Sequence, residues 1–401
     1  MILICADNEK ALKLRLFVLA TYTLFLAGFL FIPNAVDLYK YYIAVVFPLG
    51  LIYSFRTVAL VAHSKLLLAV LLYLVYMLLT SFWSQNFTLG MLLYDISLAA
   101  YIIVFLLLTI TIGIRNSADL DKILKLICVC AALSALISIP YWYSQHRFPD
   151  SRLISMGVFT SPNHSSAVYG FFCVLSSCYA NQSRCYLERA LYISTAVILM
   201  IFVFFTQSRA GIFATLVAIS LLIIFSPGNK KKILGAIVAF VGIPVLFQLV
   251  YPLVFSRLGD ISIPNRLEIW RQALDSFVAA PYFGQGIQTP FNITLSDSPY
   301  IYRSAHNTFI ATVRDGGLIG LGFHLYILVI AIRIGVIEFV KRSNPIYLAL
   351  LVLLLIYTSA ATDQLIVRPR EIWILLWLPI ALLVMREYCH TDFQSDERTD
   401  S

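Results

Sequence analysis

Residues 66–82, 193–205 and 346–357 each run without a single charged side chain, and these runs constrain the fold more than any other feature. A helix on a soluble core carries an apolar stripe with a polar back, whereas these runs are apolar all round, the pattern of a segment that meets lipid. The whole chain is built this way. Of its 401 residues, 60% are hydrophobic and only 12% charged, about half the charge of an average soluble domain. Transmembrane barrels alternate polar and apolar residues along each strand, so uninterrupted runs select helices. No polar stretch is long enough to form a separate soluble catalytic domain. The expected class is therefore an all-α polytopic membrane protein, with residues 1–401 forming one integral membrane domain. At about 20 residues per span, about twelve helices are expected, near 16–32, 39–55, 66–83, 91–114, 123–143, 165–180, 190–206, 210–226, 233–255, 316–340, 345–363 and 371–386. The first run follows Lys10, Lys13 and Arg15 in the manner of a signal peptide. Asp7 and Glu9 dilute that basic region and no small-residue cleavage pattern follows, so it reads as a retained first helix.

The formal charge of +8 would suit a nucleic-acid binder, but membrane proteins acquire such a charge from basic cytoplasmic loops. No nucleic acid is expected as a partner. With the N-terminus in the cytoplasm, 18 of the 29 basic residues fall on the inner side. The positive-inside rule thus favours cytoplasmic N- and C-termini around an even number of spans. The outer basic residues are of one kind: apart from Lys40 they are all arginines, from Arg147 and Arg152 through Arg209, Arg257, Arg266, Arg271, Arg303 and Arg314 to Arg368 and Arg370. Arginine presents a planar fork matched to phosphate or carboxylate. An outward face that selects it points to an anion site, although arginines also snorkel to lipid headgroups at helix ends. The cysteines, Cys5, Cys128, Cys130, Cys173, Cys178, Cys185 and Cys389, fall in inner segments or within spans, so no extracytoplasmic disulfide and no cysteine metal site is expected.

Residues 256–315 form the one long non-spanning connection, and long loops in compact proteins are usually functional or disordered. Asn265 with Glu268 three positions on has the form of a capping box. Leu267, Trp270, Leu274, Phe277 and Val278 follow at helical spacing until Pro281, which predicts an amphipathic helix on the outer surface. Phe283-Gly284-Gln285-Gly286 reads as a turn, and Ser304-Ala305-His306-Asn307 leads into the next span. His306 is the foremost titratable group on this face, since imidazole can accept a proton from a hydroxyl; a capping or hydrogen-bonded structural histidine is the plainer alternative. Arg209 sits in the tight outer turn Gln207-Ser208-Arg209-Ala210-Gly211. Arginines at two helix ends and a histidine facing one compartment suit a diphosphate and a nucleophilic hydroxyl. Asp95 and Asp363 are carboxylates at the outer ends of spans, expected to be paired or functional, with orientation of an arginine as the first expectation.

These residues resemble a family. Gln207-Ser208-Arg209-Ala210-Gly211, Asn265-Arg266-Leu267 with Trp270, residues 281–286, and His306-Asn307-Thr308-Phe309 with Asp315, Gly317 and Gly320 resemble in order the signatures of the bacterial O-antigen ligases. Gly157-Val158-Phe159-Thr160-Ser161-Pro162-Asn163 is similar to a further outer-loop motif of that superfamily. The resemblance implies a metal-independent membrane glycosyltransferase fold without cofactor. It implies transfer of polysaccharide from undecaprenyl diphosphate to lipid A–core at the periplasmic face of the bacterial inner membrane. By motif, Arg209 and Arg266 hold the diphosphate and His306 serves the acceptor hydroxyl, with Arg271, Asn307, Asp315, Asp363 and Asp95 as possible supporting residues. Asp315 departs from relatives that often have Glu there, which leaves its role open.

The chemistry fits independently, because a sugar on a lipid diphosphate already carries a good leaving group. The protein must stabilise charge on the departing phosphate and accept one proton, and no Walker-type phosphate loop is present. A polysaccharide polymerase and a protein O-oligosaccharyltransferase share this logic with another acceptor. A transporter of lipid-linked sugars would place its charges near the midplane within repeated halves; the sequence shows a one-sided cluster and no repeat.

Overall fold

The computed structural model describes residues 2–226, 263–294, 301–361 and 364–399. The expected span at 233–255, Arg257 and Asp363 lie outside the described residues. What is described is almost wholly helical: α1 (Ile2–Phe31), α2 (Ala35–Val61), α3 (Lys65–Trp83), α4 (Leu89–Arg115), α5 (Ser117–Tyr143), α6 (Pro162–Gln182), α7 (Tyr186–Phe205), α8 (Arg209–Phe225), α9 (Ile263–Val278), α10 (Thr308–Arg342), α11 (Ile346–Ala361) and α12 (Leu378–Thr399). A single antiparallel pair, β1 (Ile293–Thr294) with β2 (Ile301–Tyr302), interrupts the connection before α10. Among the described residues, α1 from Ala11, α2, α3, α4, α5, α7 and α10 are long and apolar enough to cross a membrane, and α8 and α11 are shorter apolar helices. The protein is an all-α polytopic membrane protein.

Helix α6 sits at the centre, packed against α5, α7, α8 and α11. Its small and hydroxyl-bearing residues explain the position. Ser165, Ser166 and Ser176 are fully buried, and the Ser176 hydroxyl donates to the Phe172 carbonyl at 2.7 Å, so α6 meets neighbouring helices closely with its polar atoms satisfied. Two π-turns, Tyr42–Val46 and Trp373–Trp377, precede Pro48 and Pro379. Each proline lacks an N–H and crowds the carbonyl four residues back, which widens the preceding turn. The two turns meet: the Tyr42 and Trp373 rings stack edge to face at 5.0 Å.

Charged pairs tie the helix ends together. At one end of the bundle Lys125 meets Glu188 at 3.0 Å, the buried Glu338 lies between Arg342 and Arg386, and Ser64 donates to Glu387 at 2.6 Å. The opposite end gathers the turns before α4, α6, α8, α10 and α12 and is covered by α9. That helix begins at Ile263, ahead of the expected cap at Asn265, since Pro264 is well suited to a first helical turn; Glu268 accepts from the Gln272 amide one turn on, at 2.9 Å. Ile269 and Ala273 are buried against Ile293. Leu267, Leu274 and Val278 are exposed together with Arg271, one turn apart on one face, which gives α9 an apolar outer side as well as an inner one.

Candidate active site

The glycines of two sequence motifs explain each other once folded. Helix α10 kinks at Gly317 (φ +64°, ψ −163°), a conformation open essentially to glycine. The turn at 281–286 docks into the kink, with Leu318 N–H on the Pro281 carbonyl (2.9 Å), Gln285 N–H on Arg314 (2.8 Å) and Gly286 N–H on Asp315 (2.9 Å). A Cβ at Gly317 would stand 2.2 Å from the Tyr282 carbonyl oxygen. The connection is therefore fastened backbone to backbone onto the start of α10, where His306 lies.

Two other strained residues mark the same end. Gln207 and His306 both have positive φ, 52° and 51°, uncommon for residues with a Cβ, and each stands one residue ahead of a capping residue. Ser208 caps α8 through Gly211 N–H, and Asn307 caps α10 through Phe309 and Ile310 N–H. Asn307 thus has a structural duty that explains its place in the motif. The backbone N–H of His306 donates to Ser304 Oγ, and its Nδ1 lies 3.1 Å from the same hydroxyl, with the exposed ring facing a cavity of about 340 Å³. Trp270 of α9 donates to the Ala305 carbonyl at 2.8 Å, coupling the helix that carries Arg266 to the loop that carries His306.

Three arginines gather at the same end of the bundle. Arg209 opens α8. Arg266, half-buried, donates through Nη1 to the Ala360 carbonyl at 2.7 Å. Arg152, in the connection between α5 and α6, donates through Nε to the Thr206 carbonyl (3.1 Å) and through Nη2 to Asn163 Oδ1 (2.9 Å). Ser208 Oγ donates to that same Asn163 oxygen at 2.9 Å, so one amide fixes both Arg152 and the turn before Arg209. Burial first, then the positive fields of Arg209 and Arg266, hold Arg152 below the ordinary guanidinium value; burial and Arg209 do the same to Arg266. The charges acting on Arg152 and Arg266 are those of other arginines, and guanidinium groups stay charged regardless. Gathered guanidinium groups offer planar, permanently charged donors to a phosphate.

The supporting residues separate by location. Asp315 is buried and bound to Arg314 Nη1 at 2.7 Å, and Arg314 continues to the Thr289 and Pro290 carbonyls at 2.7 and 2.8 Å; this pair walls the 340 Å³ cavity. Arg303 lines that cavity too. Arg271 is exposed on α9 and lines neither that cavity nor its neighbour. Asp95 lies in the neighbouring cavity of about 450 Å³, where the group bonded to it is the Gln288 amide, not the arginine expected.

Sequence reasoning gave no individual role to five residues that the fold brings here. His164, Arg370, Glu371 and the Asn163–Arg152 link come together at the start of α6. Ser161-Pro162 has the form of a helix start, with the Ser161 hydroxyl accepting from His164 N–H at 3.2 Å, and that signal puts His164 in a first turn on the arginine side of the bundle.

Comparison with known proteins agrees with the motifs. Residues 194–325 match the family model described as O-Antigen ligase, a stretch that takes in Arg209, Arg266 and His306. The chain is 28% identical over 370 residues to an O-antigen ligase of Pseudomonas aeruginosa, covering 89% of this chain and 87% of the relative.

Proposed function

We propose that this protein is an O-antigen ligase that transfers a glycan from undecaprenyl diphosphate to a sugar hydroxyl of lipid A–core, on the periplasmic face of the bacterial inner membrane. The observation that carries the reading is the gathering of Arg152, tied through Asn163 to the turn before Arg209, with Arg209 and Arg266 at the end of the bundle where His306 lines a cavity. Likeness to an O-antigen ligase over most of the chain supports the same class, and the excess of lysines at the other end of the bundle supports the orientation.

In this mechanism the acceptor hydroxyl attacks the anomeric carbon of the donor's first sugar. The new glycosidic C–O bond forms as the bond from that carbon to the phosphate oxygen breaks, and the hydroxyl proton passes to His306. Ser304, 3.1 Å from Nδ1, orients the ring, and with Nδ1–H donating to that hydroxyl Nε2 is the accepting atom. Charge growing on the departing diphosphate is met by the three guanidinium groups, of which Arg152 is held in advance by the Thr206 carbonyl and Asn163 and Arg266 by the Ala360 carbonyl, so little reorganisation of these two is needed during the reaction.

Reconstituted full-length protein supplied with undecaprenyl diphosphate–glycan and lipid A–core should form capped lipopolysaccharide, and Arg209→Ala or Arg266→Ala should abolish the product in folded protein. In cells the gene should restore capped lipid A–core to a ligase-null strain and leave a polymerase-null strain uncorrected. Correction of the polymerase-null strain alone would assign the acceptor to another lipid-linked glycan.

A further inference from the structure

The 450 Å³ cavity meets the 340 Å³ cavity along a shared wall of His164, Gln364 and Arg370. The proposed chemistry uses none of these residues, yet their arrangement is built. Glu371, with a side chain 2% exposed, accepts a hydrogen bond from Arg370 Nε at Oε2 (3.1 Å), pairs in charge with Arg370 Nη2 3.1 Å from Oε1, and faces His164 Nδ1 at 3.6 Å. A carboxylate beside Nδ1 favours the tautomer with the proton there, which leaves the Nε2 lone pair for the cavity. On the adjoining residue, Asn163 turns to Arg152 and Ser208. The first turn of α6 thus separates the arginine cluster on one side from the cavity on the other.

The rest of the cavity has the chemistry of a sugar site. Asp95, bonded to Gln288, offers a carboxylate and an amide to hydroxyl groups. Tyr94 offers an aromatic edge, its hydroxyl accepting from Arg368 Nε at 2.7 Å with the guanidinium over its ring. Val36 and Tyr94 are exposed as well as lining the cavity, so it reaches the flank of the bundle, where a lipid-anchored saccharide approaches sideways. A nucleophile must come from the side away from its leaving group. With the diphosphate at the arginines, the cavity beyond His164 lies on the nucleophile's side.

We infer that the 450 Å³ cavity is a saccharide subsite for the acceptor, and that His164, oriented by Glu371, is its positioning residue, accepting a hydrogen bond from a sugar hydroxyl so that the attacking hydroxyl reaches His306. The inference rests on the transferase reading above, and the test separates the two. Initial rates of the reconstituted full-length protein are measured with donor and acceptor varied independently. His164→Ala should raise the acceptor KM about tenfold, the effect of one lost hydrogen bond, with the donor KM unchanged. His164→Gln should recover most of it, because an amide oxygen accepts the same bond, and Asp95→Asn should raise the acceptor KM alone. Melting temperatures of the variants should match the wild type. An unchanged acceptor KM in both His164→Ala and Asp95→Asn, or a raised donor KM, overturns the subsite while wild-type transfer still upholds the transferase. A fall in kcat alone that Gln does not recover overturns the positioning role. Absence of transfer by the wild type overturns the reading on which the inference depends.

Discussion

Asn163→Asp exchanges an amide for a carboxylate of the same shape at the one side chain that holds both Arg152 and Ser208, each at 2.9 Å. The fold should tolerate it: Arg152 gains an ion pair in place of a neutral acceptor, so the melting temperature should stay level or rise. The donor should suffer, because the new charge stands one guanidinium away from the proposed diphosphate seat. At an effective dielectric near 20, two unit charges 4 Å apart interact by about 4 kcal/mol, hence by about 2 kcal/mol at roughly 8 Å. A diphosphate carrying about two charges would then be repelled by roughly 3–4 kcal/mol, about 10²–10³-fold in affinity, less at high salt. The assay is donor binding to detergent-solubilised protein at two ionic strengths, paired with the donor KM in transfer. Weakened donor binding that recovers partly with salt, in protein as stable as wild type, is the expected outcome. Donor affinity within twofold of wild type would refute the assignment of these arginines to the diphosphate.

Further outcomes follow from other parts of the structure. His306→Gln keeps a hydrogen-bonding side chain but loses the base, so transfer should fall about 10²–10⁴-fold with donor binding retained; near-normal rates would reassign the histidine to a structural role. Gly317→Ala places a Cβ 2.2 Å from the Tyr282 carbonyl in a backbone region costing about 1–3 kcal/mol for other residues, so thermal stability and turnover should drop together, and a variant with wild-type melting would mean that the kink is not needed. Reporter fusions at Asn344 should register cytoplasm and those at Gln288 periplasm; the reverse pattern would invert the proposed orientation.

Much of the bundle was legible because lipid imposes a simple rule on any span. The expected spans overlap α1 to α8, α10 and α11, with the ends expected at 32, 206, 226 and 345 just outside the helices and 362–363 outside the described residues. Helix α6 was found by the same rule for a different reason: it is enclosed by neighbouring helices, and Ser166, Ser176 and Ser177 bond to backbone carbonyls one turn back. Arg209, Arg266 and His306 were legible because each lies in a local pattern, a tight turn or a helix start. What sequence withheld are partners far apart in the chain. His164 and Glu371 are distant in sequence and joined only through the packing of α6 against the turn before α12. Arg152 looked like one outer arginine among several until Asn163 tied it to the turn before Arg209. The glycines at 284, 286 and 317 were visible as letters, but their reason, two backbones in direct contact, exists only in the fold.

The location of the cluster follows from helix polarity as well as from side chains. Helices α6, α8 and α10 all begin at the end of the bundle where Arg152, Arg209 and Arg266 meet, capped by Ser161, Ser208 and Asn307. Each helix start carries a partial positive charge, strongest within the first turn, so three of them add to the same field as the arginines. A neutral sugar gains little from that field, whereas a diphosphate gains from every contributor, and gains more as its charge rises on departure. With the proposed diphosphate donor, the arrangement would favour the bond-breaking state over the bound donor, which is the difference that accelerates a reaction. His306 stands one residue ahead of the Asn307 cap, in a strained conformation with positive φ, and lines the cavity. In the proposed mechanism His306, held by Ser304 and by Trp270's grip on Ala305, would meet the acceptor hydroxyl while the arginines would keep the phosphate.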